Sequence, residues 1–160
     1  MTTAPTTTQN ATQTLVMERE FNATPEQLWA AWTDPKILAK WISPFPGLDA
    51  EIHELDARPC GRVRFTMTGP DGTRYPEALW YYVVLERPHK IIQFEPNENR
   101  PDLFNGYPMR HTIRFEAAGK KARVVMEVMG MPPTMPLEMA RGGFGSCLNK
   151  LEALLAAKTA

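Results

Sequence analysis

Residues 21–41 read FNATPEQLWAAWTDPKILAKW, and almost every position in that stretch carries a structural instruction. Thr24 can cap a helix whose first position is Pro25, where a missing backbone N–H costs nothing. Leu28, Ala31 and Trp32 then recur at helical spacing, and Asp34-Pro35 ends the run because the residue before a proline is driven out of the α region. A second short apolar helix over Lys36 to Ile42 follows, carrying Ile37, Leu38 and Trp41. Upstream, Leu15 to Phe21 is short and partly alternating, so a strand leads directly into two short helices.

Downstream the period changes to two. Segments of strand length appear at Ala50–Ala57, Arg62–Thr68, Tyr75–Arg87, Lys90–Glu95, Met109–Ala117 and Ala122–Met129. They are separated by turn chemistry such as Gly69-Pro70-Asp71-Gly72 and Ala118-Gly119-Lys120. After Pro132-Pro133 a last helical stretch carries Leu137, Met139, Phe144, Leu148, Leu151 and Leu155, with Gly142, Gly143 and Gly145 weakening its start. Consecutive strands pair through hairpins, which excludes a doubly wound parallel sheet. The expectation is an α+β grip: a curved antiparallel sheet of about six or seven strands wrapped around the long C-terminal helix, with a space between them.

Composition bounds the rest. The chain has 160 residues, 43% of them hydrophobic, enough for one core, so a single domain over 14–158 is expected behind a disordered Thr-rich tail at 1–13. Eighteen basic residues balance eighteen acidic ones, which leaves no field to gather nucleic acid. The longest apolar run, Ala78 to Leu85, falls far short of the roughly 18 residues a membrane span needs. The first dozen residues have neither a basic nor an apolar region of a secretory signal, and Cys60 and Cys147 have no ligand-like spacing. A cytoplasmic location is expected, without metal or cofactor.

Parity gives a candidate lining. Arg62 and Arg64 alternate with Val63, Phe65 and Met67; Arg110, Thr112 and Arg114 alternate with His111, Ile113 and Phe115; Glu127 leaves Val124, Met126 and Val128 inside. His111 is the one titratable group this places inward, a polar anchor or, secondarily, an acid-base group. Met126 and Met139 offer flexible, polarisable surface. The run ALWYYVVL is apolar on both faces. If Tyr81, Val83 and Leu85 face the helix, then Trp80, Tyr82 and Val84 form an exposed patch suited to a homodimer.

The pattern Phe21-x-Ala23-x-Pro25-Glu26-x-Leu28-Trp29-x-Ala31-Trp32-Thr33-Asp34-Pro35, with Trp41, Gly69-Pro70-Asp71-Gly72-Thr73, Tyr75-Pro76 and Gly143-Phe144-x-x-Cys147-Leu148-x-x-Leu151, resembles the START-like (SRPBCC) superfamily. It is similar in particular to the branch of the heat-shock protein 90 ATPase activator C-terminal domain. Departures include Cys60-Gly61, Trp80 and Phe144, each changing volume near the sheet, and a long Pro96–Pro108 segment. The resemblance implies an α+β helix-grip (START-like) fold with a cavity for a small apolar or aromatic molecule, and adds Trp41 to its wall. The ligand set expected is Trp41, Phe65, Met67, Tyr81, Val83, His111, Ile113, Phe115, Met126, Met139, Phe144 and Leu148. Two alternatives stay open: a co-chaperone-like interaction module, and a cyclase- or hydrolase-type enzyme using His111.

Overall fold

The computed structural model describes residues 11–100 and 106–158; residues 1–10 of the expected tail and 101–105 of the Pro96–Pro108 segment lie outside them. Strand β1 (Gln13–Phe21) runs into helices α1 (Pro25–Thr33) and α2 (Pro35–Leu38). Six strands follow: β2 (Asp49–Leu55), β3 (Arg62–Thr68), β4 (Ala78–Glu86), β5 (Lys90–Glu95), β6 (Met109–Ala118) and β7 (Lys121–Met131). Helix α3 (Leu137–Lys158) ends the fold. The seven strands form one antiparallel sheet in the order β1-β7-β6-β5-β4-β3-β2, so every consecutive pair from β2 to β7 is adjacent and β1 is added beside β7.

The helix signals act as chemistry. Thr24 Oγ1 accepts from the Gln27 amide at 3.2 Å while the Thr24 amide donates to Gln27 Oε1 at 2.9 Å, a reciprocal capping box. Asp34 serves both helices: its amide closes α1 on the Ala30 carbonyl at 2.8 Å, and its carboxylate accepts from the Lys36 amide at 2.8 Å. Helix α2 stops at Leu38 rather than Ile42. The chain beyond it tightens into turns, the amides of Trp41 and Ile42 both reaching the Leu38 carbonyl, and Pro44 holds Ser43 out of helical geometry.

The sheet begins later in β4 than its apolar pattern predicts, because Pro76 has no N–H for the ladder and only an isolated bridge joins Thr68 to Arg74. The turn before β3 depends on a bare backbone. Cys60 has φ of 65°, and a Cβ on Gly61 would lie 2.0 Å from the Asp56 carbonyl oxygen.

The facing of β4 is opposite to the expectation. Val63, buried, stands opposite Trp80, and Phe65 opposite Ala78, so Trp80 and Tyr82 point into the core at 8% and 1% exposure. Tyr81 and Val83 lie on the outer face at 37% and 53% exposure. Val84, past a register shift between Tyr82 and Val84, is half-buried. Alternation alone has no sign when both faces are apolar; the cross-strand partner supplies it. The Trp80, Tyr82 and Val84 dimer patch therefore does not exist as an exposed surface. Thr112, expected on the solvent side, is also buried, between cross-strand neighbours Ile92 and Glu127.

Two aromatic groups fill the core. Under α1 and α2, Trp32 packs on Trp41 and Phe115 with ring centroids 4.5 and 5.2 Å apart, and Trp29 meets Phe115 edge-on at 6.3 Å. Between β3, β4, β6 and α3, a second series runs Phe65, Trp80, His111, Phe144, with centroids 5.0, 6.0 and 6.0 Å apart. Among the described residues no helix is long and apolar enough to cross a membrane, and no cluster of His, Cys, Asp or Glu could hold a metal ion.

Candidate functional site

A cavity of about 360 Å³ lies between the inner face of the sheet, the turn after α2 and the first half of α3. Its position follows from the fold: the α1–α2 unit covers one part of the curved sheet with large indoles, and α3 covers the rest without filling it. Phe45 and Met139, exposed at 53% and 66%, mark where the cavity reaches the surface. The rim is tied together by Lys150, whose ammonium donates to Ser43 O, Ser43 Oγ and Phe45 O at 2.9, 2.7 and 2.9 Å. Cys147 Sγ adds a weak bond to the Ile42 carbonyl at 3.3 Å.

Of the residues the sequence nominates, Trp41, Phe65, Met67, His111, Ile113, Met126, Met139, Phe144 and Leu148 line this space. Phe115 is buried but is taken up by Trp29 and Trp32, away from the cavity. Tyr81 and Val83 belong to the opposite face, for the reason given by the β3–β4 register. Trp80, expected outside, lines the cavity instead.

His111 is not the only ionisable group inside. Its Nε2 lies 3.0 Å from Glu95 Oε2, and Arg100 Nη1 donates to Glu95 Oε1 at 3.0 Å. Glu95, His111 and Arg100 are 3%, 5% and 5% exposed, and all three line the cavity. One carboxylate thus has each oxygen engaged by a different partner. Because an ionised carboxylate only accepts, His111 meets it with a proton on Nε2. Burial pulls the Arg100 guanidinium below its usual range while Glu95 pulls it back.

Gln93 completes this polar wall at 2% exposure, cross-strand from both Tyr82 and His111. The Tyr82 hydroxyl donates to the Trp32 carbonyl at 3.3 Å; burial pushes its ionisation far upward, with the Gln93 side chain pulling weakly the other way. Sequence reasoning missed Gln93, Glu95 and Arg100. The signal was present in KIIQFE, where Ile91, Gln93 and Glu95 share one parity and Ile92 and Phe94 the other, so the polar pair turns inward while Phe94 is 40% exposed. A polar residue turned in where an apolar one is turned out is the mark of a site rather than of packing.

A family model for the activator of Hsp90 ATPase homolog 1-like protein matches residues 22–156. Among solved structures, a protein from Chromobacterium violaceum is 26% identical with a TM-score of 0.79, over 89% of this chain and 96% of that one. The AHSA1 protein from Silicibacter pomeroyi is 25% identical with a TM-score of 0.72, over 91% and 99%. A Mycobacterium smegmatis protein is 25% identical with a TM-score of 0.72, over 91% and 92%. No curated protein matches the chain.

Proposed function

Since this chain belongs to the activator of Hsp90 ATPase homolog 1-like family, within the START-like superfamily, we propose that it works through its cavity, as a binding module for one small, largely apolar molecule. The observation that carries this reading is the 360 Å³ space itself, lined by Phe65, Trp80, Ile113, Met126 and Phe144. Protein interiors ordinarily close such volumes, because each void forfeits contacts on every side. The size lies at the lower end of ligand pockets and suits a molecule of two or three rings.

The test is a fluorescence titration with the apolar dye N-phenyl-1-naphthylamine. Saturable binding near one dye per chain is expected. A plug is available in Gly143→Leu: a Cβ there meets only Pro44 Cβ at 3.8 Å, an ordinary contact, and glycine is a poor helix former. That variant is expected to keep its melting temperature and lose the dye. Dye binding that is unsaturable, or unchanged in Gly143→Leu, would remove the cavity from consideration.

A second reading has its own observation, the Glu95–His111 contact, which orients an imidazole as an acid-base pair does. It predicts turnover of a bound molecule that falls about a hundredfold or more in His111→Gln with binding retained. The family description favours a third, stimulation of a chaperone ATPase, which purified Hsp90 assayed with and without this protein would reveal.

A further inference from the structure

The wall of the cavity contains hydrogen-bond donors that the protein itself does not use. Trp80 Nε1 is buried and meets no acceptor; Gln93 Nε2 is buried too and closes no hydrogen bond of good geometry, though its side chain acts on the Tyr82 hydroxyl; both residues line the cavity. The contrast with Trp41 is informative. That indole lines the same cavity, yet its Nε1 donates to the Ala31 carbonyl at 3.0 Å, so the fold does satisfy an indole N–H where nothing else is meant to. Trp80 is also locked in place, edge-on to Phe65 at 5.0 Å and tilted over His111 at 6.0 Å, so it cannot turn to find a partner. The indole carries the argument because it can only donate; the amide presents a donor or an acceptor according to how it is turned.

The neighbouring charges say what the partner is not. Glu95 already engages Arg100 on one oxygen and His111 on the other, so the charged groups of the polar wall are taken up by one another rather than offered to a carboxylate or phosphate. Resting on the cavity-binding reading above, we propose that the ligand is an uncharged two-ring-sized apolar molecule bearing one hydrogen-bond-accepting oxygen, of the ketone or ester carbonyl class, whose oxygen is held by Trp80 and Gln93. A cavity of about 150 Å³ admits benzene, so 360 Å³ has room for two rings and a linking carbonyl. A hydrocarbon of the same shape would displace water from these donors and give nothing back. A buried donor left unmet in this way is worth roughly five- to a hundredfold in affinity.

Three diphenyl probes separate the possibilities: diphenylmethane, benzophenone and diphenylacetate, measured by displacement of N-phenyl-1-naphthylamine. Hydrophobicity alone ranks the hydrocarbon ahead of the ketone, so the order is diagnostic. Benzophenone is expected to bind at least severalfold tighter than diphenylmethane and about tenfold tighter than diphenylacetate. Its carbonyl stretch is expected to move to lower frequency on binding. Trp80→Phe keeps a ring against Phe65 and His111 but carries no N–H; in it the ketone's advantage is expected to shrink toward nothing and the hydrocarbon's affinity to hold. If that variant does not fold, Gln93→Met reports the same preference through the second donor. Diphenylmethane binding best, or an unshifted carbonyl stretch, overturns the acceptor assignment while leaving cavity binding intact. Diphenylacetate binding best overturns the neutral class. Failure of all three probes and of the dye would sink the cavity reading and this inference together.

Discussion

Replacing Glu95 by glutamine removes one charge from a group of three that water barely reaches. Glu95 and Arg100 are 3% and 5% exposed and their charged atoms are 3.0 Å apart. At that separation the attraction is about 5 kcal/mol for an effective dielectric near 20, set against the cost of desolvating both ions. Glutamine keeps the shape and can still hydrogen-bond, but it carries no charge to set against the Arg100 guanidinium. Breaking a buried pair from one side costs about 3–5 kcal/mol, because the remaining charge stays buried after its partner's charge is gone. Both Glu95→Gln and Arg100→Met are expected to lose that much, read from urea midpoints at constant slope. For a chain of this size each kcal/mol is worth roughly 2–4 °C in Tm. The double variant should lose clearly less than the sum of the two, since it strands no charge. The reasoning is refuted if each single change costs under about 1 kcal/mol and the two simply add.

Three further outcomes are expected. Burial pushes the Cys147 thiol up to about 12, whereas Cys60 is exposed, so Ellman's reagent near neutral pH should label one thiol in the folded protein and the second only after denaturation. Gly142 has open space where a Cβ would stand, so Gly142→Ala should raise stability by about 1 kcal/mol, read as a higher melting temperature. Arg64 holds the Glu77 carboxyl below its ordinary value of 4.5, and Arg62 does the same for Glu54. The stability they add is present above that value and lost as pH falls through their depressed ones, so an acid titration of Tm should be shallower in Glu77→Gln than in the parent.

The elements were legible where the sequence alternates charge with bulk. Arg62 and Arg64 leave Val63, Phe65 and Met67 no choice of face, and Thr24-Pro25 with Gln27 states a helix start without ambiguity. In β4 the same reading had no sign, because Tyr81 and Tyr82 are chemically equal; only the opposition of Trp80 to Val63 breaks the tie, and that register is a tertiary fact. The polar wall was hidden differently. Gln93 and Glu95 turn inward against hydrophobicity, and Arg100 reaches Glu95 from outside any strand, so no periodicity could join them. His111 was found because its neighbours Arg110 and Arg114 fix its parity.

The sheet described above never closes on itself: β1 and β2 are its two borders. A border strand offers a row of free amides and carbonyls, a template on which another copy of the chain could add. Strand β2 answers with Glu51 and Glu54 and with a register shift between Ile52 and Glu54, so an arriving strand would have to strip water from carboxylates and match a kink. At this border, resistance to strand addition thus rests on a few residues at the rim of the sheet. Stripped of those charges, an open sheet would begin to recruit its own kind.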